Sequence, residues 1–380
     1  MILLHAMNPA TPLHSRYFIG MMSGTSLDGV DTVLVQQSVE GVRQLAEHFL
    51  PYPENIKQTL LALHHPAMNE LHEAAITANA LARLYAESVH QLLAKAAIPA
   101  SAISAIGCHG QTIRHCPDLQ DGLAYTSQIG NLARLAELTN ISVVGDFRSR
   151  DIAAGGQGAP LVPAFHQAVF AHATNNRAII NIGGIANISW LPAQGAVTGF
   201  DSGPGNMLLD QWINQHTGKP YDADGAFSAC GTVNNALLQA MLAEPYLQIT
   251  PPKSTGRDLF NQIWLTHHLQ QMTDTPQNVA RTLLEFTALT IADAIHKHCP
   301  DVHEIFVCGG GVHNGMLMSR IAAALHMPVQ KTEELGIGAD WVEAVAFAWL
   351  AQRCVDGLSG NLPAVTGAAG PRILGAIYPA

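Results

Sequence analysis

Three glycine-bearing turns, each entered from a short apolar run, constrain this chain more than any other feature. The first, Met22-Ser23-Gly24-Thr25-Ser26-Leu27-Asp28-Gly29-Val30-Asp31, separates the apolar runs 17–21 and 30–35. The second, Asn181-Ile182-Gly183-Gly184-Ile185-Ala186-Asn187-Ile188-Ser189, again reads strand, glycine turn, strand. The third, Cys308-Gly309-Gly310-Gly311-Val312-His313-Asn314, follows the apolar run 305–307 and precedes a helical pattern. Gly24 and Gly29 are expected to supply positive φ and a close backbone approach to a ligand. Thr25 and Ser26 add hydroxyls beside N–H groups, a combination that can cradle phosphate oxygens. Asp28 and Asp31 have the chemistry to hold a divalent cation, directly or through water. Taken alone, the stretch reads equally well as a decorated hairpin turn.

The rest of the chain alternates strand and helix patterns, which argues for an α/β fold. Strands are expected at 17–22, 30–36, 45–51, 104–109, 141–145, 178–181, 185–190 and 197–200. Helices are expected at 53–63, 69–97, 129–138, 160–173, 206–216, 233–243, 258–271, 279–298 and 340–356. The segment 366–378 reads as strand-like and returning to the first part of the chain. A charged run, 146–151, followed by Gly155-Gly156-Gln157-Gly158, marks a domain junction and a candidate hinge. At 380 residues the chain is too long for one ordinary core.

A formal net charge of −10 argues against a nucleic-acid surface. No apolar run approaches membrane-spanning length. The six cysteines form no C-x-x-C pair and read as buried thiols of a reducing cytosol. The nineteen histidines show no zinc-binding spacing. The start, residues 1–7, is apolar but lacks a basic leader and is short for a signal peptide, and residues 1–16 have no assignment.

Several side chains stand where chemistry is carried. Asp201 follows the apolar run 197–200 and precedes Ser202-Gly203-Pro204-Gly205-Asn206, so it is either a turn-stabilising cap or a cleft-facing carboxylate. Glu343 is either a first-turn acid favoured by the helix dipole or a site acid. His109, Gln111 and Thr112 lie where a strand enters a loop; His109 alone reads more readily as structural. Asp146 and Arg148 follow another strand end, either as a junction ion pair or as site residues. Lys253, Ser254 and Arg257 are a compact basic cluster, either touching substrate or capping a following helix.

The order and wide spacing of the three glycine turns resemble the actin-like ATPase superfamily. The wording is similar to one family within it. GMMSGTSLDGVD (20–31), CHGQTIRH (108–115), GDFRSRDIAAGGQGAPLVP (145–163), NIGGIANIS (181–189), GFDSGPGN (199–206), PPKSTGRD (251–258) and DWVEAVAFAWLA (340–351) resemble the anhydro-N-acetylmuramic acid kinases, from about residue 17 to the C-terminus. The resemblance implies a two-domain, ribonuclease H-like α/β fold with the nucleotide in the interdomain cleft. The N-terminal domain would comprise 1–150 plus 366–380, and the second domain 151–365. It implies ATP and Mg²⁺ as cofactors, and ring opening of an anhydro amino sugar coupled to phosphorylation of O6, in cytosolic cell-wall recycling. Ser23, Gly24, Thr25, Ser26, Asp28, Gly29, Gly183 and Gly184 would bind the ATP phosphates. Gly309, Gly310, Gly311 and Asn314 would bind adenosine. His109, Gln111, Thr112, Arg148 and Asn206 would bind the sugar, with Arg148 neutralising phosphate or the lactyl carboxylate. Asp28 and Asp146 would serve the metal. Asp201 would act as general base on water, with Glu343 orienting hydroxyls or assisting the base. Neither nucleic acid nor membrane is an expected partner, and a homodimer stays open. The rival readings are an ordinary sugar kinase acting on a free hydroxyl and a non-catalytic nucleotide-dependent binding protein.

Overall fold

The structure is a computed structural model that describes residues 15–24, 26–117, 119, 122–270 and 274–380. Thr25, Gln271 and residues 1–14 of the leader lie outside the described residues.

Sheet A is built from β1 (Arg16–Ser23), β2 (Gly29–Ser38), β3 (Gly41–Pro51), β4 (Ile103–Cys116), β5 (Tyr125–Ile129) and β6 (Val143–Gly145), closed at one edge by β12 (Ala376–Tyr378). Sheet B comprises β7 (Arg177–Ile182), β8 (Ile185–Leu191), β9 (Thr198–Pro204), β10 (Glu304–Cys308) and β11 (Gln330–Lys331). The strand orders are β3-β2-β1-β4-β6 and β9-β8-β7-β10-β11. In each, the first three strands pair antiparallel and the last two join in parallel. The same path is therefore traced twice along one chain. This duplicated ribonuclease H-like sheet makes the fold that of the two-domain actin-like ATPases.

Helices α1 (Glu54–Leu63), α2 (Glu70–Ala96) and α3 (Leu132–Thr139) cover the outer face of sheet A. In α2, Leu81, Tyr85, Ser88, Val89 and Leu92 repeat at helical spacing and are buried, and the Ser88 hydroxyl meets Thr32 of β2 at 2.7 Å. The chain crosses between the sheets through α4 (Ser149–Ala153) and enters α5 (Val162–Phe170). Helices α6 (Met207–Thr217), α7 (Asn235–Leu242), α8 (Gln262–Leu269), α9 (Pro276–His298) and α10 (Gly315–Leu325) belong to the second half, with α9 against β8 and β9. Then come α11 (Val342–Val355) and α12 (Pro363–Thr366).

Helix α11 packs across the expected boundary. The sequence division assigns 151–365 to the second domain, yet α11 packs on β1, β2 and β4 of sheet A and touches α5 on its other side. Phe18, Val33 and Ala105 of sheet A share one core with α11 and with Ile179 and Ile188 of sheet B. Two glycines admit the helix. Gly20 and Gly107 face each other in the β1–β4 register, and a Cβ on either would meet the backbone carbonyl of Ala344 or Phe347. Gly107→Ala is therefore expected to cost about 1–3 kcal/mol through overpacking, read as a lowered thermal midpoint. An unchanged midpoint would show that α11 can lift off the sheet freely.

Local differences have physical reasons. The expected helix at 129–138 starts only at Leu132, because β5 runs to Ile129, Gly130 sits at φ +156° and Asn131 caps the helix by accepting the Arg134 N–H. The helix expected from 258 starts at Gln262, where Asn261 accepts the N–H groups of Ile263 and Trp264. The strand expected at 197–200 runs on to Pro204, so Asp201 lies within β9. Of 366–378, only Ala376–Tyr378 is strand, and it does return to sheet A.

Candidate active site

The β1–β2 turn carries its left-handed residue at Leu27, φ +58°; Gly24 and Gly29 are outside the positive-φ set, contrary to the sequence expectation. Gly29 has a packing reason instead, since a Cβ there would crowd Phe49 and the Leu50 carbonyl of β3. Among the described residues, a Cβ on Gly24 would meet only the Ser26 hydroxyl, at 3.7 Å, and the Gly24 carbonyl accepts from Gln111 Nε2 at 3.0 Å. Ser23 is buried, and its hydroxyl donates to the Gly110 carbonyl at 3.0 Å. With that proton committed, Tyr85 donates to Ser23 Oγ at 3.1 Å, and Tyr52 to Tyr85 at 3.2 Å. This hydroxyl chain anchors the turn from behind, so the Ser23 side chain faces the body of the fold. Exposed Ser26 donates to Asp28 Oδ1 at 2.7 Å.

A polar relay runs from this turn towards sheet B. His109, tilted against Phe347 of α11 with centroids 4.8 Å apart, accepts from Arg148 Nε at 3.1 Å and Nη2 at 3.0 Å. Its Nε2 is therefore unprotonated, and burial together with the adjacent guanidinium holds the imidazole down at about 3. His109 thus positions Arg148 and does not donate a proton at neutral pH. Arg148 also donates to the Gly158 carbonyl at 2.8 Å. Burial pulls its guanidinium down to about 10, against the charges of Glu343 and Asp151. Burial raises the Glu343 carboxyl above its ordinary range while Arg148 opposes it. Glu343 stands on α11, over sheet A, and accepts from Asn181 Nδ2 of sheet B at 3.5 Å. Asn181 was not singled out from sequence as a site side chain, although it opens the second glycine motif.

Asn181 also leads to the third glycine turn. A Cβ on Gly309, φ +79°, would strike Asn181 Oδ1, and the Gly309 N–H donates to the Ala339 carbonyl at 2.9 Å. Gly311 lies against Ile182, and Gly310 faces outward. Asn314 is occupied as the cap of α10, accepting the Leu317 N–H at 3.0 Å. In the second turn, the Gly183 and Gly184 carbonyls accept from Asn206, Gly205 and Met207. Asn206 Nδ2 donates to the Ile182 carbonyl at 3.3 Å, so the 183–184 and 205–207 turns are tied together.

Asp201 is held from the other side of sheet B. It pairs with Asn187 of β8 next to a bulge that leaves Ser202 without a cross-strand partner. Its N–H donates to the Lys253 carbonyl at 3.1 Å, and its Oδ2 accepts the Thr255 N–H at 3.0 Å. Burial pushes its carboxyl up to about 6, while the Thr255 N–H and the Lys253 ammonium pull it down. A base half-ionised near 6 is well matched to water activation at neutral pH.

Not every candidate joins this assembly. The Thr112 hydroxyl accepts from Gln128 of β5 at 3.2 Å. Asp146, exposed at φ +56°, accepts the Ser149 N–H at 3.4 Å at the start of α4. Among the described residues, no group of three His, Cys, Asp or Glu side chains has metal-holding geometry, so Asp28 and Asp146 do not make a protein-only metal cage. Asp31, read from sequence beside Asp28 as a possible cation holder, has its carboxyl pushed up to about 8 by burial and then by Asp28, Glu343 and Asp340. Also among the described residues, no helix is long and apolar enough to cross a membrane.

The model of one family, anhydro-N-acetylmuramic acid kinase, matches residues 16–380. An anhydro-N-acetylmuramic acid kinase of Thiobacillus denitrificans is 55% identical over 98% of this chain and 100% of its own length. Those of Nitrosospira multiformis and Nitrosomonas europaea are 52% and 53% identical, over 97% and 96% of this chain and the whole of theirs. Among solved structures, component A of the (R)-2-hydroxyglutaryl-CoA dehydratase of Acidaminococcus fermentans is similar at a TM-score of 0.45 and 10% identity, over 88% of this chain and 96% of that one. The duplicated strand order, and not that likeness, assigns the fold. Sequence identity over the full matched length, with the glycine turns and Asp201 placed as described, shows that the chain belongs to the anhydro-N-acetylmuramic acid kinase family.

Proposed function

We propose that this chain opens the 1,6-anhydro bridge of 1,6-anhydro-N-acetylmuramic acid with water and transfers the γ-phosphoryl group of ATP to O6. The products are N-acetylmuramic acid 6-phosphate and ADP, in cytosolic cell-wall recycling. The observation that carries this reading beyond family membership is Asp201, a half-buried carboxylate fixed by two backbone contacts and poised near 6.

In the reaction the water oxygen bonds to C1 as the C1–O6 bond breaks. O6 bonds to the γ-phosphorus as the bond to the β-phosphate oxygen breaks. Asp201 takes the water proton, which makes the oxygen a better nucleophile, and returns it to solvent afterwards. Glu343 would orient sugar hydroxyls. Arg148, held by His109, offers positive charge to an anionic group of the substrate. The backbones at 24–28 and 183–184 hold the phosphates from the two halves, and 309–311 packs against the adenosine; phosphoryl transfer itself is mainly positioning and charge neutralisation.

Asp28 carries a carboxylate of the kind a divalent cation takes, and it adds, after burial, to the repulsion that raises the neighbouring Asp31 carboxyl. Without a protein cage, the fit is to Mg²⁺ carried in with the phosphates and held by Asp28 directly or through water. When bound, the ion would neutralise charge on the phosphates.

The test is a sugar panel with ATP and Mg²⁺, run in heavy-oxygen water. The anhydro sugar is expected to drive ADP release far better than open N-acetylmuramic acid or glucose, and the product to carry the label at C1. Equal turnover with the open sugars, or no label at C1 after correction for exchange, would establish an ordinary sugar kinase instead.

A further inference from the structure

The geometry points to Lys253, together with Tyr246, as a positioning clamp that fixes the orientation of Asp201. This rests on the reading of Asp201 as the base. The two residues come from the segment between α7 and α8 and meet Asp201 at its main chain. The Lys253 carbonyl accepts the Asp201 N–H at 3.1 Å, and the Tyr246 hydroxyl donates to the Asp201 carbonyl at 2.9 Å. They also lock each other. The Lys253 ammonium lies 4.7 Å from the centre of the Tyr246 ring and donates to the Tyr246 carbonyl at 3.4 Å. Two residues further on, the Thr255 N–H holds Asp201 Oδ2 at 3.0 Å. The backbone on both sides of the carboxylate and one of its oxygens are thus tied to a single short segment, which is how a rotamer is fixed next to a strand bulge.

The basic cluster was open to a role in touching substrate. The surroundings of Lys253 argue against it. With Ser202, Asp293, Lys297 and His298 it lines a cavity of about 30 Å³ behind β9, room for about one water and none for a sugar. Its ammonium is engaged by the Tyr246 ring and carbonyl instead. It favours the ionised form of Asp201, which burial disfavours. The other charged and titratable groups around the clamp, among the described residues, are Asp293, Lys297 and His298 of α9, Asp258, and Glu244, which accepts the Tyr246 N–H at 3.3 Å. His298 shares the cavity and senses the Lys253 charge, so its contribution must be removed in any pH measurement.

The experiment compares Lys253→Met, Lys253→Arg and Tyr246→Phe in a His298→Gln background, measuring kcat, KM for ATP and the pH dependence of kcat/KM with anhydro-N-acetylmuramic acid. Lys253→Met keeps the apolar stem and loses the charge. Its acid limb is expected to move up by about one pH unit, with kcat reduced about tenfold and KM for ATP within about twofold. Lys253→Arg is expected to restore the limb. Tyr246→Phe keeps the ring beneath Lys253 and loses the bond to Asp201; kcat is expected to fall while the limb stays in place. A folded Lys253→Met with an unmoved limb, or a limb that Lys253→Arg fails to restore, overturns the clamp. If Lys253→Met does not fold, Tyr246→Phe decides, and an unchanged kcat there overturns it. Asp201→Asn in parallel separates the two readings. If that variant turns over normally, the base assignment fails; if it is inactive while the clamp variants behave as wild type, the clamp alone fails.

Discussion

Asp201→Asn is expected to lower kcat by roughly 10²–10⁴-fold, the usual contribution of a general base. ATP binding, followed by calorimetry, is expected to persist, because the carboxylate is held by the 246–255 segment and not by the glycine turns. Stability is expected to move the other way. The folded carboxyl sits at about 6, above its ordinary 3.8. A raised carboxyl favours the folded state in its protonated form, an advantage fully present below about 3.8 and lost as pH rises through about 6. Above that window the buried charge is a net cost, so the neutral amide should be at least as stable as wild type at pH 7.5. An inactive variant with an undiminished thermal midpoint at that pH is the expected signature. Near-normal turnover in a folded variant would make Asp201 a strand residue with no catalytic role.

Asp151→Ala is expected to be the most destabilising of these substitutions, by about 3–5 kcal/mol, because it strands buried donors without acceptors. Asp151 is fully buried. Its Oδ1 accepts from Asn361 Nδ2 at 2.7 Å and Thr366 Oγ1 at 2.8 Å, and its Oδ2 from the Gly158 N–H at 2.8 Å. The Gln157 N–H reaches the Thr366 carbonyl and the Ala369 N–H reaches the Ala154 carbonyl, both at 2.8 Å. The carboxylate therefore staples the two chain segments that cross between the halves. A fall in the urea midpoint is the measurement; a change below about 0.5 kcal/mol, the range of an unremarkable surface substitution, would show that the staple is redundant. The same contacts bear on the candidate hinge at 155–158. The N–H groups of Gly156, Gln157 and Gly158 are all engaged, so this stretch is pinned despite its glycines.

Much of this architecture is legible locally. Gly183 and Gly184 between Ile182 and Ile185 are enough to write a hairpin, and the α2 pattern is enough to write a long half-buried helix. What escapes is set by contacts distant in sequence. Nothing near Ala344 or Phe347 announces that Gly20 and Gly107 make room for α11, so the helix reads as part of the second half. Half-exposed β5 has no apolar run of its own and exists by pairing with the far end of β4. The first glycine turn misleads in a particular way. Its left-handed residue is a leucine, and its first hydroxyl, on Ser23, turns inward to two tyrosines that no local pattern connects to it. Asp201 and Glu343 read locally as a turn cap and a first-turn acid just as well as site acids, and only the family resemblance singles them out. Asn181 and Tyr246 act through what they touch, and a touch has no sequence signature.

The place of α11 dictates an order of events when the chain is made. Its partners on sheet A lie at the other end of the sequence; the ion pair of Arg16 in β1 with Asp356, just beyond α11, joins residues 340 apart. Until a ribosome has produced the last few dozen residues, the inner face of sheet A has no cover, and Phe18, Val33 and Val35 stay open to water or to other chains. The half that emerges first is therefore the last to be completed. A nascent chain of this protein depends on whatever shields apolar surface during synthesis, and a stall short of α11 leaves an aggregation-prone product rather than a folded first half.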